Sequence, residues 1–343
     1  MPRSLLAAVA AALLLCATAC RTAAVSSTPA ARSPTLAELD RDAAAARKVV
    51  TAPLALRFAE AVDQLGPVSP RVVFKDKVAR QAFTPEQAER LPAEQRSRLE
   101  RLELDEAYFY TTRYGSPVSY AMPLQRLAEA GFGERLAGKR ILDYGYGYLG
   151  HLKMLASLGA DVTGVDADPI LPILYGQSGD TGAVKGRGGP GGTVRVLSGR
   201  FPEEPAVTEA IGGGYDLFLS KNTLKRGYVH PSQPTDPNRT LQLKVTDEEY
   251  VRAVWELLRP GGFVLLYNLY PAQKPEFIPW AEGETPFPRE VWERAGFKVE
   301  VFDCDDTAFA RTFAKALRWD QGPDAMDLEK DLFAVYLVAR KPE

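Results

Sequence analysis

One segment constrains the fold of this chain more than any other: a short apolar strand, a glycine-rich turn and a helix. Residues 141–143 (Ile-Leu-Asp) are typical of a buried strand, and Gly145, Gly147 and Gly150 lie in the turn that opens the helix. A second apolar strand follows this helix and ends in Asp166. Because glycine has no Cβ, such a turn lets a ligand approach the backbone closely. The pattern indicates an α/β unit with a ligand site at the turn.

The same alternation of strands and helices continues along the chain. Further strands are predicted at 193–197, 216–220 and 263–267, and a capping box at 246–249 opens the helix before the last of them. Alternating elements predict an α/β fold with a mostly parallel, doubly wound sheet, which binds ligands at the carboxyl ends of its strands. Asp166, about 20 residues past the glycine turn, is placed to accept hydrogen bonds from ribose hydroxyls. Two ligand classes fit this pattern, a dinucleotide and an adenosyl group.

Three motifs in this region resemble the class I S-adenosylmethionine (SAM)-dependent methyltransferases. Residues 141–147 (ILDYGYG) carry an acid two residues before the first glycine, and 258–264 (LRPGGFV) resemble the turn before the family's fifth strand. Residues 295–299 and the strand 333–338 resemble the family's last two, antiparallel strands. The resemblance covers residues 140 to about 340. It implies a Rossmann-like doubly wound methyltransferase sheet with an antiparallel last strand, preceded by a helical N-terminal extension, and SAM as the cofactor.

The resemblance also assigns cofactor residues at the strand ends. The family's third glycine is displaced here, because Leu149 stands at the expected position and Gly150 follows. The implied contacts are Asp143, Gly145 and Gly147 beside the methionine part of SAM, Asp166 at the ribose, and Gly199 with Arg200 near the adenine, with Gly150 as a further cofactor-binding candidate.

Polar residues follow the fourth predicted strand, where the family positions its methyl acceptor. Methyl transfer depends mainly on proximity and orientation, with a general base where the acceptor carries a proton of high pKa. Asn222 is predicted to position an acceptor, and Tyr228 or His230 to take a proton. The basic residues could clamp a carboxylate or phosphate; they are Lys221, Lys225 and Arg226. The alternative is a solvated basic turn in which the asparagine caps a helix.

The segment 35–134 precedes this domain, which spans 135–343, and is predicted to be a helical extension. It is rich in Ala, Leu, Glu and Arg and lacks an alternating strand pattern. Its aromatic residues are predicted either to cover the adenine or substrate as a lid, or simply to bury the extension against the sheet. They are Tyr108, Phe109, Tyr110, Tyr114 and Tyr120, with Arg113 among them. A glycine-rich stretch at 176–192 is predicted to be a flexible loop.

The N-terminus has the features of an export signal. Residues 1–20 combine a positive start, an apolar run and small residues before Cys20, which resembles a bacterial lipobox. A lipidated Cys20 would anchor the protein in the bacterial cell envelope, with 21–34 as a flexible tether. Plain secretion and an uncleaved membrane anchor remain as alternatives.

The composition argues against two further kinds of site, one for nucleic acid and one for a metal ion. Acids and bases nearly cancel, at a formal net charge of -2, which argues against nucleic acid as a partner. Only Cys304 lies beyond the first twenty residues and only two histidines are present, so no metal site is predicted.

Together these features predict a membrane-anchored methyltransferase that acts on a small or anionic substrate. Because SAM is made in the cytoplasm, the alternative is a catalytically inactive methyltransferase-fold lipoprotein that serves as a binding or scaffold module. A nicotinamide-dependent oxidoreductase is the third candidate, since 145–150 match GxGxxG literally.

Overall fold

The computed structural model describes residues 32–110 and 116–343. The predictions on the export signal, on Cys20 and on most of the tether lie outside the described residues, as do those on Arg113 and Tyr114. Within the described ranges, no helix has both the length and the apolar character that a membrane crossing requires.

The strands fall into two sheets. One has three strands in the order β2-β1-β3, and the other has eight in the order β10-β11-β9-β8-β4-β5-β7-β6. The strands are β1 (Arg71–Asp76), β2 (Gln81–Phe83), β3 (Glu100–Leu104), β4 (Arg140–Tyr144), β5 (Asp161–Asp166), β6 (Gly182–Ala183), β7 (Thr193–Ser198), β8 (Tyr215–Lys221), β9 (Leu258–Tyr270), β10 (Lys298–Asp305) and β11 (Phe333–Arg340).

Helices pack on both faces of the large sheet, and short 3-10 turns lie at 61–64, 117–120, 237–239 and 279–281. The helices are α1 (Pro34–Ala46), α2 (Pro53–Glu60), α3 (Pro85–Glu89), α4 (Ala93–Arg96), α5 (Glu106–Tyr110), α6 (Ala121–Glu129), α7 (Gly150–Ser157), α8 (Leu171–Leu174), α9 (Pro205–Ile211), α10 (Arg226–Val229), α11 (Asp247–Leu257), α12 (Arg289–Arg294), α13 (Thr307–Ala316) and α14 (Leu328–Asp331).

The large sheet is doubly wound, as predicted. Strands β7, β5, β4, β8 and β9 pair in parallel, and β11 runs antiparallel to both of its neighbours, β9 and β10. The chain moves from β4 to one side through β5 and β7, then crosses to β8 and β9 on the other side. This is the Rossmann-like methyltransferase sheet with its reversed last strand. The predicted fold class of the domain is confirmed.

Alternating side chains build a core on each face of this sheet. Ile141 packs in one apolar cluster and its neighbour Leu142 in the other, because successive strand residues point to opposite faces. The predicted capping box is confirmed: the Thr246 hydroxyl accepts from the Glu249 amide at 3.2 Å, and the Glu249 carboxylate accepts from the Thr246 amide at 2.8 Å.

The N-terminal extension differs in part from its prediction. It contains the predicted helices, of which α1 and α2 contribute buried residues to the core. It also contains the three-stranded antiparallel sheet, which the sequence analysis did not predict. The reason lies in β2 and β3, which are short and carry Gln, Glu and Arg at exposed positions. Charged residues of this kind favour a helical interpretation.

The glycine-rich stretch at 176–192 is packed against the domain, in contrast to the flexible loop that was predicted. The Gly192 amide donates to the Ala156 carbonyl at 2.8 Å, and the Arg187 guanidinium pairs with Glu60 at 3.0 Å and Asp63 at 2.9 Å. A Cβ on Gly192 would lie 1.9 Å from the Ala160 carbonyl oxygen. Several of these glycines therefore permit close backbone contact.

Candidate functional site

A cleft of about 650 Å³ opens at the carboxyl ends of β4, β5 and β7. Its inner wall contains Tyr144 and Asp166, which end β4 and β5, and Arg200 and Glu203, which follow β7. The hairpin between β1 and β2 and the segment 238–243 line its outer part. Clefts of a few hundred Å³ hold small ligands, and doubly wound sheets bind ligands at this edge.

The two glycines of the turn after β4 have different roles. Gly145 and Gly147 both have left-handed backbones, with φ of +77° and +58°. A Cβ on Gly145 would lie 2.0 Å from the Thr223 Oγ1, so this glycine is required by close packing. A Cβ on Gly147 would meet no atom within 4 Å. The backbone is therefore open to a ligand at Gly147 and covered by a side chain at Gly145.

Asp166 joins the end of β5 to this turn. Its Oδ2 accepts from the Gly147 amide at 3.1 Å and its Oδ1 from the Asp168 amide at 2.9 Å. Burial raises the pKa of the Asp166 carboxyl, while these two amides act in the opposite direction. Each carboxylate oxygen keeps a further lone pair, so Asp166 can accept hydrogen bonds from ligand hydroxyls in the cleft.

Asp143 does not line the cleft, because it is fully buried in a separate polar cluster. Its Oδ2 lies 2.5 Å from the Nε2 of His151, which is also fully buried. The His151 ring stacks on Tyr120 with centroids 3.7 Å apart, and burial lowers the pKa of His151. Burial raises the pKa of Tyr120, and the neighbouring Asp143 carboxylate adds to this effect. Sequence analysis missed His151 because nothing in its spacing pairs it with the acid at the end of β4.

Two buried lysines lie beyond this cluster. The Lys225 Nζ donates to the Leu269 carbonyl at 2.5 Å, and the Lys221 Nζ lies 5.1 Å from the ring centroid of Tyr120. Burial lowers the pKa of both lysines to about 7, and for Lys221 the charge of Lys225 adds to this effect while Asp143 opposes it. The predicted clamp does not form as one group, since Lys225 is bound to the backbone and Arg226 is exposed on the surface.

The other predicted catalytic residues are dispersed. Asn222 has a left-handed backbone with φ of +65°, and its Oδ1 accepts from the Leu269 amide at 2.7 Å. It therefore links the ends of β8 and β9 rather than capping a helix. His230 is on the surface, with its Nε2 2.8 Å from Asp247 Oδ1, and Tyr228 lies under Lys225. Asn222, Tyr228 and His230 do not line the cleft.

Two further glycines of the predicted cofactor site serve packing. A Cβ on Gly150 would lie 3.0 Å from Pro117 Cβ, and one on Gly199 would lie 2.4 Å from Val207 Cγ2. Gly150 thus brings the start of α7 close to the extension, and Gly199 brings the end of β7 close to α9. Arg200, the next residue, does line the cleft.

The described aromatic residues of the predicted lid are mostly buried. Phe109, Tyr110 and Tyr120 lie in the core, and Tyr108 remains partly exposed, with its ring centroid 6.3 Å from that of Tyr148. The four described rings do not line the cleft. Their positions agree with the alternative that the aromatic residues bury the extension against the sheet. In the described part of the chain, no three His, Cys, Asp or Glu side chains are grouped as metal ligands.

Comparisons with known proteins found similar solved structures but no relative by sequence. No protein-family model matches the sequence, and no curated protein matches it. The chain has a class I methyltransferase fold. Solved structures with a similar fold include phosphoethanolamine N-methyltransferase 2 of Haemonchus contortus, at 15% identity over 71% of this chain and 63% of that one, with a TM-score of 0.40.

Two other solved structures are similar to a smaller degree. An S-adenosylmethionine-dependent methyltransferase of Mesorhizobium loti is 16% identical over 62% of this chain and 96% of its own, with a TM-score of 0.34. Human N-acetylserotonin methyltransferase is 12% identical over 60% of this chain and 48% of its own, with a TM-score of 0.31. The fold assignment rests on the topology of the sheet itself.

Proposed function

We propose that this protein is a SAM-dependent methyltransferase that acts on a small or anionic substrate. The observation that carries the proposal is Asp166, whose carboxylate ends β5, lines the cleft and lies beside the uncovered backbone of Gly147. A carboxylate at this position binds the hydroxyls of a ribose in nucleotide-binding sheets. The cleft, of about 650 Å³, has room for an adenosyl group and a further small molecule.

Asp166 in the cleft and the neighbouring Gly147 fit the adenosyl part of SAM. Asp166 would accept from the ribose hydroxyls, and Gly147 would allow the chain of the cofactor to pass close to the backbone. When bound, SAM supplies a methyl group on a sulfonium. The contribution of the protein is to bind and orient, because displacement at a sulfonium depends mainly on alignment.

The alternative is a catalytically inactive lipoprotein that keeps the fold as a binding or scaffold module. One observation favours it: the Thr223 side chain covers Gly145, and Asp143 is paired with His151 instead of facing the cleft. Both residues were predicted to contact the methionine part of SAM.

Calorimetric titration of the full-length chain with SAM and S-adenosylhomocysteine separates these functions. We expect micromolar binding of both ligands, weakened at least tenfold in Asp166→Ala because the ribose loses its acceptor. Asp161→Asn at the opposite, exposed end of β5 is the matched control and should bind as the wild type does. Absence of binding to either ligand would favour the inactive alternative, and equal binding by Asp166→Ala would refute the proposed site.

We also propose that the protein is exported and anchored through a lipid on Cys20. Cells that express the full-length chain should incorporate a palmitate label into it, and Cys20→Ala should abolish the label. Cys304→Ala is the control, since Cys304 is exposed and lies outside the signal. A label that persists in Cys20→Ala, or a wild-type chain that takes up none, would rule out this anchor.

A further inference from the structure

We propose that the hairpin side of the cleft is an anion-binding subsite for a phosphate or carboxylate group. Lys75 of β1 and Arg80 in the hairpin line this side, and Arg200 after β7 lines the inner wall of the same cleft. The subsite deepens the proposed function and rests on it only for the identity of the ligand. The anionic group belongs either to a substrate that shares the cleft with the adenosyl group or to a nucleotide that occupies the cleft alone.

The first argument concerns the partners of these cations. Lys77, also in the hairpin, pairs with Glu100 at 2.8 Å. Among the described residues, by contrast, no carboxylate lies within 4.0 Å of the charged groups of Lys75 and Arg80. Arg200 donates from Nη1 to the Leu241 carbonyl at 2.9 Å, which fixes one edge of its guanidinium and leaves its other donors for a ligand. Cations that line a cleft without neutralising carboxylates attract anions into it.

The second argument is that contacts within the hairpin hold its turn in place without a ligand. The buried Asp76 carboxylate accepts from the Val78 amide at 3.0 Å and the Ala79 amide at 2.9 Å, which fixes the turn. Strand pairing of Asp76 with Gln81 closes its base. Val78, at the tip of the hairpin, lines the cleft and is 85% exposed. A preformed turn binds a ligand at a lower entropic cost than a flexible one.

The third argument is that the end of β5 and the hairpin bring different chemistry to the cleft. Asp166 and Asp168 line it at the end of β5, and Asp166 already accepts from two backbone amides and is placed to bind hydroxyls. Glu203 lines the cleft after β7, whereas the side chains of the hairpin that line it are Lys75, Lys77, Val78 and Arg80. The end of β5 therefore suits a sugar, and the hairpin suits an anion. Arginine and lysine bind phosphate and carboxylate through charge-assisted hydrogen bonds, which are stronger than neutral ones.

Titration of pyrophosphate into the full-length chain at constant ionic strength tests the subsite. We expect saturable binding in the millimolar range or tighter, weakened at least tenfold in Lys75→Gln/Arg80→Gln. The control is Lys48→Gln/Lys274→Gln, which removes the same charge from two exposed lysines outside the cleft. No binding by the wild type, or an equal loss in both double variants, would overturn the proposal.

A second titration, with S-adenosylhomocysteine at saturation, identifies the source of the anion. Retained pyrophosphate binding supports the subsite and assigns the anion to a separate substrate. Mutual exclusion supports the subsite and assigns the anion to a nucleotide. If S-adenosylhomocysteine does not bind at all, the proposed function fails while the pyrophosphate result still decides the subsite by itself.

Discussion

Replacing His151 with alanine is expected to lower the free energy of unfolding by about 3–5 kcal/mol. The Asp143 carboxylate is fully buried, and His151 at 2.5 Å is its closest hydrogen-bond partner. Removing the imidazole leaves a buried carboxylate whose remaining polar neighbours include the Tyr120 hydroxyl and the Lys221 side chain. The stacking of the two rings at 3.7 Å is lost as well. Urea denaturation at pH 7, followed by circular dichroism, measures this loss.

A double variant distinguishes loss of the hydrogen-bonded pair from loss of packing. Asp143→Leu/His151→Leu removes both polar groups and keeps apolar volume, so it should cost much less than His151→Ala. A cost of under 1 kcal/mol for His151→Ala would contradict the assignment of the pair as a buried, coupled unit. The double variant also bears on function, because it would show that Asp143 does not contact the cofactor if it still binds SAM.

The domain that carries the site was predictable because its elements have strong local signatures. The apolar run of β4, the glycine turn after it and the acid that ends β5 are close in sequence, and the geometry of a parallel sheet brings them together. The capping box of α11 is local in the same way. Periodicity and turn chemistry within about 30 residues therefore predicted a ligand site at the carboxyl ends of β4 and β5.

The residues that complete the cleft were not predictable, because they come from distant parts of the chain. Lys75 and Arg80 lie in a short antiparallel sheet whose strands carry charged residues, and no local pattern places that sheet over the end of β5. The burial of individual polar side chains was equally unpredictable from the sequence. In the sequence, the segment that contains Lys221 and Lys225 resembles a solvated basic turn. In the structure, the packing of β8 and β9 buries both side chains. The Asp143–His151 pair depends on the same tertiary packing.

Arg71→Ala is expected to have an effect of similar size, about 3–5 kcal/mol, because it removes one partner of a buried ion pair. The Arg71 guanidinium binds Asp180 through two nitrogens, at 2.5 Å and 2.8 Å, and the two side chains are only 8% and 6% exposed. The pair joins the start of β1 to the segment after α8. Its loss leaves the Asp180 carboxylate buried without its cation. Urea denaturation of the variant measures the change in the free energy of unfolding.

The same variant tests whether the fixed position of the hairpin matters for binding. Arg101→Ala on β3 is the matched control, since its ion pair with Glu103 is exposed and should contribute less than about 1 kcal/mol. Because Arg71 anchors the strand that carries Lys75, its loss should also weaken pyrophosphate binding under conditions where the variant remains folded, whereas Arg101→Ala should not. If Arg71→Ala lowers the free energy of unfolding no more than Arg101→Ala does, the Arg71–Asp180 pair does not anchor the hairpin. If stability falls but pyrophosphate binds as before, the cations hold their positions through the turn at Asp76 alone.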